Sequence, residues 1–234
     1  MERHFELELE ALQEQLLLMG GRVESIIQKS ISALERRDPA LARQVIVDDV
    51  VIDRMENEID ERCLRLLALQ QPLAGDLRFI TGALKISNDL ERVGDHAVNI
   101  AGSAARLAPA PHLQPLVDIP RLAKLAGGML HDALDAFVRR DTERARRLCR
   151  EDDAVDLLNR QVFDELIRYM TADPSAVPRA MELILVSRNL ERVADLATNI
   201  AEEVVFIAEA RVIKHGAEVP TVKRLTRDDD FGRA

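Results

Sequence analysis

The chain of 234 residues is 47% hydrophobic but only 3% aromatic, lacks tryptophan and carries a formal net charge of -9. This acidic balance, with no dense basic run among aromatics, argues against nucleic acid as a partner. Abundant Ala, Leu, Glu and Arg are typical of packed helices with aliphatic cores. No run of about 18 apolar residues is present and the start does not resemble a signal peptide, so we expect a cytoplasmic protein without direct membrane insertion.

The spacing of apolar residues, together with the Pro and Gly residues that interrupt it, predicts three long helices in the first half of the chain. The first runs from about residue 3 to residue 36, with apolar residues recurring at spacings of three and four. Asp38-Pro39 ends it and starts a second helix to about residue 70, because Asp caps free amides and Pro is tolerated in the first turn. A Pro-Leu-Ala-Gly segment then precedes a third helix over about residues 76–107.

The second half repeats this plan after a proline-rich linker. Four prolines lie between residues 108 and 120, a density at which no helix persists. Asp118 opens the fourth helix, Asp141 caps the fifth, and the sixth follows Asp173-Pro174 and ends near His215. The predicted units are a first bundle at 1–108, a linker at 109–119, a second bundle at 120–216 and a polar, loosely held tail at 217–234.

The two halves are copies of one unit. The segment Ser87–Ala101 recurs at Ser187–Ala201, with Leu-Glu-Arg-Val, the following Asp and Asn-Ile-Ala in register. Residues of the preceding helices match at a slightly larger spacing, because the connection before the second signature is shorter. The period is too long for a short solenoid repeat, so we predict an all-α fold of two tandem homologous three-helix bundles with six long helices.

Acidic side chains recur on one face of the second helix. They advance by four, three and four residues and form one stripe: Asp49, Asp53, Glu56 and Asp60. On the third helix Glu91 and Asp95 are four residues apart and form a similar pair. Packed helices lie about 8 to 10 Å apart, so carboxylates from both can converge. Crowded carboxylates must raise their pKa values, take up arginine or bind cations.

The second repeat keeps most of this pattern. It retains four of the acids, Asp152, Asp156, Glu191 and Asp195. Asn159 and Phe163 replace Glu56 and Asp60, which predicts a weaker site or one of different nuclearity. Oxygen-only clusters suit hard ions such as Mg²⁺, Ca²⁺ and Mn²⁺, whereas iron and zinc more often include imidazole. His96 lies about 100° around the helix from Asp95 and is no obvious ligand.

Two other interpretations stay open at this point. The acidic stripes are also explained as solvated faces paired with nearby Lys and Arg, in which case the protein is a purely structural or adaptor helical protein. A phosphate-handling enzyme would need a pocket with convergent basic groups, which the sequence does not indicate. No phosphate loop, nucleophile motif or di-iron Glu-x-x-His pattern is present, so we predict a protein that is not an enzyme.

Three segments of the chain resemble the PhoU family: Cys63–Pro72, Leu90–Ala101 and Leu190–Val204. The resemblance extends over about residues 3–215 and implies tandem three-helix bundles, a homodimer or higher homo-oligomer, and carboxylate-bound metal clusters. Leu196 departs from the His often found at its position, which leaves iron, zinc, manganese and magnesium as candidate ions. The candidate ligands are Asp49, Asp53, Glu56, Glu91, Asp95, Asp152, Asp156, Glu191 and Asp195.

The resemblance also implies a role without catalysis. It indicates a cytoplasmic negative regulator that couples a phosphate ABC transporter, through its ATPase, to a sensor histidine kinase. Such a regulator holds the phosphate-starvation response off when phosphate is plentiful.

Overall fold

The computed structural model describes residues 2–111, 113, 118–213 and 219–220. Within these ranges the chain forms six long helices: α1 (Glu2–Arg36), α2 (Pro39–Gln70), α3 (Ala74–Leu107), α4 (Ile119–Arg139), α5 (Thr142–Ala172) and α6 (Val177–Glu209). A short 3₁₀ helix, Pro174–Ala176, precedes α6. After α6, β1 (Arg211–Val212) pairs antiparallel with β2 (Val219–Pro220). The predicted fold class of tandem three-helix bundles is confirmed.

Aspartate caps start the middle helix of each bundle, as the sequence predicts. The Asp38 carboxylate accepts hydrogen bonds from the backbone N–H groups of Ala40 and Leu41 at 2.8 and 3.0 Å. Asp141 accepts one from the backbone N–H of Arg144 at 2.9 Å. Each cap satisfies amides that the first helical turn leaves without partners.

The carboxyl end of α6 differs from the prediction. We expected the helix to continue to about His215, but it ends at Glu209. Ala210 adopts a φ of 55°, in the left-handed region, and donates its N–H to the carbonyl of Phe206 at 2.9 Å. The residue in such a cap is usually Gly, which marks the helix end in a sequence. Here the residue is Ala, and the apolar pattern continues to Ile213, so the sequence did not indicate the end of the helix. Most of the predicted tail, including 221–234, lies outside the described residues.

The two bundles meet through their signature helices. α3 packs against α1 and α2, and α6 packs against α4 and α5. α3 and α6 pack against each other in antiparallel orientation, since Lys85 contacts Glu203 at 2.8 Å while Arg106 contacts Glu182 at 2.6 Å. The helices that carry the recurring acidic motif therefore also form the contact between the two halves.

The cores are aliphatic, in line with the composition. Fully buried side chains include Leu12, Leu16, Ile52, Ile59, Ile86, Leu90, Ile100 and Leu122. Burial raises the pKa of the Cys63 thiol to about 12 and that of Cys149 to about 11, so both thiols are protonated at neutral pH. None of the helices in the described ranges carries an apolar stretch long enough to cross a bilayer.

Candidate metal centres

Carboxylates of α2 and α3 face one another on the first bundle. They form the first acidic cluster: Asp49, Asp53, Glu56, Glu91 and Asp95. Burial, followed by the charges of Asp53 and Asp95, raises the pKa of Asp49 to about 6. Burial and the four other carboxylates, Asp95 first, raise the pKa of Glu91 to about 7. The five acids that the sequence assigned to this site therefore lie near enough for the other four to act on the charge of Glu91.

Asp49 is the innermost member of the first acidic cluster. Its residue surface is only 9% exposed, and its Oδ1 atom is buried without a hydrogen-bond partner among the described residues. A buried polar atom that lacks a partner costs about 1–3 kcal/mol, and more when it is charged. A cation or a proton at this oxygen would remove that cost.

Gly94 makes room for the Asp49 carboxylate, a role that the sequence analysis missed. A Cβ atom at Gly94 would lie 2.5 Å from Asp49 Oδ1, closer than two such atoms can approach. Glycine inside a helix costs about 0.5–1 kcal/mol relative to alanine, and the second repeat has Ala194 at this place. A glycine within a strongly helical signature is a signal of some close approach, but it does not identify Asp49 as the neighbouring group.

Asn88 is a polar neighbour of the first acidic cluster. Asn88 donates an amide hydrogen bond to Glu56 Oε1 at 3.3 Å, a contact that the sequence analysis did not anticipate. Asp60, the last acid of the stripe, is not among the charges that raise the pKa of Asp49 or Glu91. Burial alone raises its pKa, and its charge acts on the Cys63 thiol.

The second bundle carries a matching group on α5 and α6. The second acidic cluster comprises Asp152, Asp156, Glu191 and Asp195. Burial, followed by the charges of Asp195, Asp156 and Glu191, raises the pKa of Asp152 to about 6. Burial and Asp195 also raise the pKa of Glu191. Asp152 Oδ1 and the amide oxygen of Asn159 are both buried without a partner among the described residues.

Two arginines contact the second acidic cluster: Arg192 of α6 and Arg160 of α5, whose Nη2 is 3.5 Å from Asp156 Oδ2. Arg192 Nη1 is 3.0 Å from Asp195 Oδ2, and its Nε is 3.7 Å from Glu191 Oε2. The equivalent Arg92 instead contacts Asp89, at 3.6 Å. The second repeat has Asn189 in place of that aspartate, so Arg192 lacks the ionic partner three residues before it and lies on the cluster.

We expect Arg192→Gln to tighten divalent metal binding at the second acidic cluster by about threefold. The arginine competes with an ion for the same oxygens, and exposed ion pairs of this kind contribute about 0.2–1 kcal/mol. Isothermal titration with Mn²⁺ measures the effect, with Arg65→Gln, an exposed change on α2 outside both clusters, as the control. Weaker Mn²⁺ binding in Arg192→Gln would show that the arginine supports the site.

The residues fit an ion bound by oxygen ligands, but their side chains must move to hold it. Among the described residues, no three His, Cys, Asp or Glu side chains are already arranged around one point. The donors are carboxylates with one amide oxygen, a set that suits Mg²⁺, Mn²⁺ and Ca²⁺. An ion would give partners to the orphaned oxygens of Asp49 and Asp152 and relieve the repulsion within each cluster. His96 does not join either set, since its Nδ1 lies 2.8 Å from Asn189 Oδ1.

Two segments of the chain, residues 16–104 and 119–204, match the family model of the PhoU domain. The chain belongs to the PhoU family. It is 42% identical over 208 residues to the phosphate-specific transport system accessory protein PhoU homolog of Aquifex aeolicus, which covers 89% of this chain and 94% of that protein. The homolog from Clostridium acetobutylicum is 38% identical over 210 residues, covering 89% of this chain and 96% of that protein.

Solved structures of PhoU proteins share the fold. The crystal structure of PhoU from Pseudomonas aeruginosa matches with a TM-score of 0.85 and 38% identity, covering 88% of this chain and 99% of that one. The phosphate transport system regulatory protein PhoU from Streptococcus pneumoniae matches with a TM-score of 0.83 and 30% identity, covering 89% and 98%. The resemblance that the signature segments indicated is thus confirmed as membership of the PhoU family.

Proposed function

We propose that this PhoU family member is a non-enzymatic, cytoplasmic regulator of phosphate uptake and phosphate-starvation signalling. It couples the ATPase of a phosphate ABC transporter to a sensor histidine kinase and acts as a negative regulator. The observation that carries the proposal is the match to relatives named as accessory proteins of phosphate-specific transport, at 42% and 38% identity over most of the chain. A homodimer or higher homo-oligomer is part of the same proposal.

A helical protein of this kind acts through differential affinity. If it binds one conformational state of a transporter or kinase better than another, it shifts the population toward that state. This requires a defined docking surface and no catalytic pocket. In our proposal, metal ions in the two acidic clusters hold α2 against α3 and α5 against α6, and so fix the outer surface that partners contact.

The metal part of the proposal is supported by three features of the clusters. Buried oxygens of Asp49 and Asp152 lack partners among the described residues, burial and then the neighbouring carboxylates raise the pKa values of both groups, and the arrangement occurs in both repeats. Candidate ions are iron, zinc, manganese and magnesium. Elemental analysis of protein purified without chelator should find stoichiometric metal, and metal-free protein would contradict this part.

An alternative function is a structural or adaptor protein whose acidic clusters hold no functional metal. The lack of a preformed three-ligand site among the described residues favours it, as does Arg192 on the second cluster. The two functions differ in how they respond to loss of the carboxylates. Removing them disables a metal-dependent regulator and leaves a metal-free adaptor intact.

Deleting the gene should leave phosphate-starvation genes expressed in phosphate-rich medium. The wild-type chain should restore repression, whereas Asp95→Ala combined with Asp195→Ala should not. Asp164→Asn, an exposed change on α5 outside both clusters, serves as the matched control. Transcript levels of a phosphate-starvation promoter report the result. Unchanged expression after deletion would contradict the regulatory role, and full repression by the double variant would favour the metal-free adaptor.

A further inference from the structure

A cleft of about 730 Å³ lies where α3 of the first bundle meets α5 and α6 of the second. Asp152 and Asp195 of the second acidic cluster line it. Four arginines from three helices also line it: Arg92, Arg146, Arg150 and Arg192. The proposed regulatory role does not account for this concentration of guanidinium groups beside a carboxylate cluster.

The four arginines differ in how strongly they are held. Glu209 binds Arg146 through two contacts of 3.0 Å, which fixes its guanidinium. Arg92 has a side chain that is 52% exposed, and its 3.6 Å contact with Asp89 is longer than a charge-assisted hydrogen bond. Arg150 is exposed on α5. Arg92 and Arg150 are therefore placed to offer donors to a molecule in the cleft.

The charge of the cleft depends on whether the second acidic cluster holds an ion. Without one, Asp152, Asp195 and Glu202 oppose the arginines, and Arg192 is engaged with Asp195. A divalent ion on the carboxylates would neutralise them and release Arg192. The cleft would then carry an excess of positive charge, with guanidinium groups that match carboxylate and phosphate oxygens in geometry.

The first repeat matches this basic lining only in part: Arg43 stands where the second repeat has Arg146, but Arg150 has no basic equivalent. Val47 stands where the second repeat has Arg150, and Ile46 stands where it has Cys149. Both apolar side chains are exposed, at 62% and 48%. Thr198 lines the cleft and its hydroxyl has no hydrogen-bond partner among the described residues, while the first repeat has Val98 there. Arg150 and Thr198 are thus particular to the second repeat, although the acidic motif is shared.

We propose that this cleft binds a small multivalent oxyanion, of the phosphate or dicarboxylate type, when a metal ion occupies the second acidic cluster. Arg92, Arg150 and Arg192 supply the charged donors, and Thr198 supplies a neutral one. The inference rests on the metal part of the proposed function. Because coupling between two ligands is reciprocal, the oxyanion must also tighten metal binding at the second cluster by the same factor.

The test uses the full chain in two steps. Isothermal titration with Mn²⁺ first establishes metal binding. Inorganic phosphate and malonate are then titrated separately into Mn²⁺-loaded protein and into protein with chelator. At least one of the two should bind the loaded protein about tenfold more tightly than the chelated protein. The comparison between them shows whether the site prefers a phosphate or a dicarboxylate.

Single-residue variants distinguish oxyanion binding in the cleft from a general effect of removing a positive charge. Arg150→Gln should weaken oxyanion binding about tenfold while Mn²⁺ binding without the oxyanion stays unchanged, since a charge-assisted contact is lost. Arg65→Gln, an exposed arginine on α2 outside the cleft, should leave both unchanged. Equal oxyanion binding with and without Mn²⁺, or no effect of Arg150→Gln, overturns the inference. If Mn²⁺ itself does not bind, the metal part of the proposed function fails instead.

Discussion

In the presence of a chelator, the free energy of unfolding should fall by about 2–4 kcal/mol as the pH rises from about 4.5 to about 7.5. The cause is the raised pKa of three carboxyls: about 6 for Asp49, about 7 for Glu91 and about 6 for Asp152. Between the unfolded and folded pKa values, the folded chain holds protons that the unfolded chain has lost. Stability is therefore greatest near the unfolded pKa values and decreases until the folded pKa values are passed.

The size of this effect is limited by solvent. Glu91 and Asp152 are only partly buried, so screening reduces their contributions, and the expected change is set well below the full sum of the shifts. Carboxyls whose pKa is lowered by arginine or lysine, such as Glu182 and Glu209, act in the opposite direction but at lower pH. The pH dependence of stability between about pH 4.5 and about pH 7.5 is therefore determined mainly by the carboxyls of the acidic clusters.

Saturating metal should reverse the trend. An ion binds ionised carboxylates and competes with protons, so its contribution to stability grows as the pH rises. Urea unfolding with Mn²⁺ and with chelator, at several pH values between about 5 and about 8, should give curves that diverge with increasing pH. Asp49→Asn combined with Glu91→Gln should reduce the pH dependence of the chelated protein to the part that comes from Asp152. Parallel curves for the two conditions would contradict ion binding at the clusters.

The second large effect is expected from Gly94→Ala. The added Cβ would lie 2.5 Å from Asp49 Oδ1, so the carboxylate must move away from the position that Gly94 allows. Since ion affinity depends on ligand position, Mn²⁺ binding at the first acidic cluster should weaken by about tenfold or more. Alanine also favours the helix by about 0.5–1 kcal/mol, so loss of binding is not explained by loss of helix.

Gly21→Ala is the matched control for this substitution. It adds the same methyl group to an exposed helical position, where a Cβ meets no atom within 4 Å. It should raise stability by about 0.5–1 kcal/mol and leave Mn²⁺ affinity unchanged. Circular dichroism establishes that both variants are folded, and isothermal titration compares their affinities. If Gly94→Ala binds Mn²⁺ as tightly as the wild-type chain, Asp49 is not a ligand at the position described.

Local signals in the sequence were enough to place the helices and most of the acidic residues. Asp38 and Asp141 mark helix starts because a capping carboxylate acts on amides two or three residues away. Glu91 and Asp95 share a face because four residues make about one helical turn. Both inferences depend only on geometry within one helix, which periodicity determines.

The features that were missed depend on how separate helices approach each other. The contact of Gly94 with Asp49 follows from the distance between α2 and α3, and the contact of His96 with Asn189 follows from the antiparallel packing of α3 on α6. Neither distance is encoded in the spacing within a helix. The position of Arg192 was easier to predict from the sequence, because aligning the repeats already shows Asn189 in place of Asp89.

The position of α3 determines where an ion would cause movement. α3 is enclosed by α1, α2 and α6, whereas α2 packs against α1 and α3 and presents its outer face to solvent. Glu91 and Asp95 thus belong to a central helix, whereas the other three acids, Asp49, Asp53 and Glu56, belong to a peripheral one. α2 is therefore held by fewer neighbouring helices than α3, and an ion bound between them would displace α2 more readily than α3. In our proposal, metal occupancy would thus be felt first at the solvent-facing side of α2.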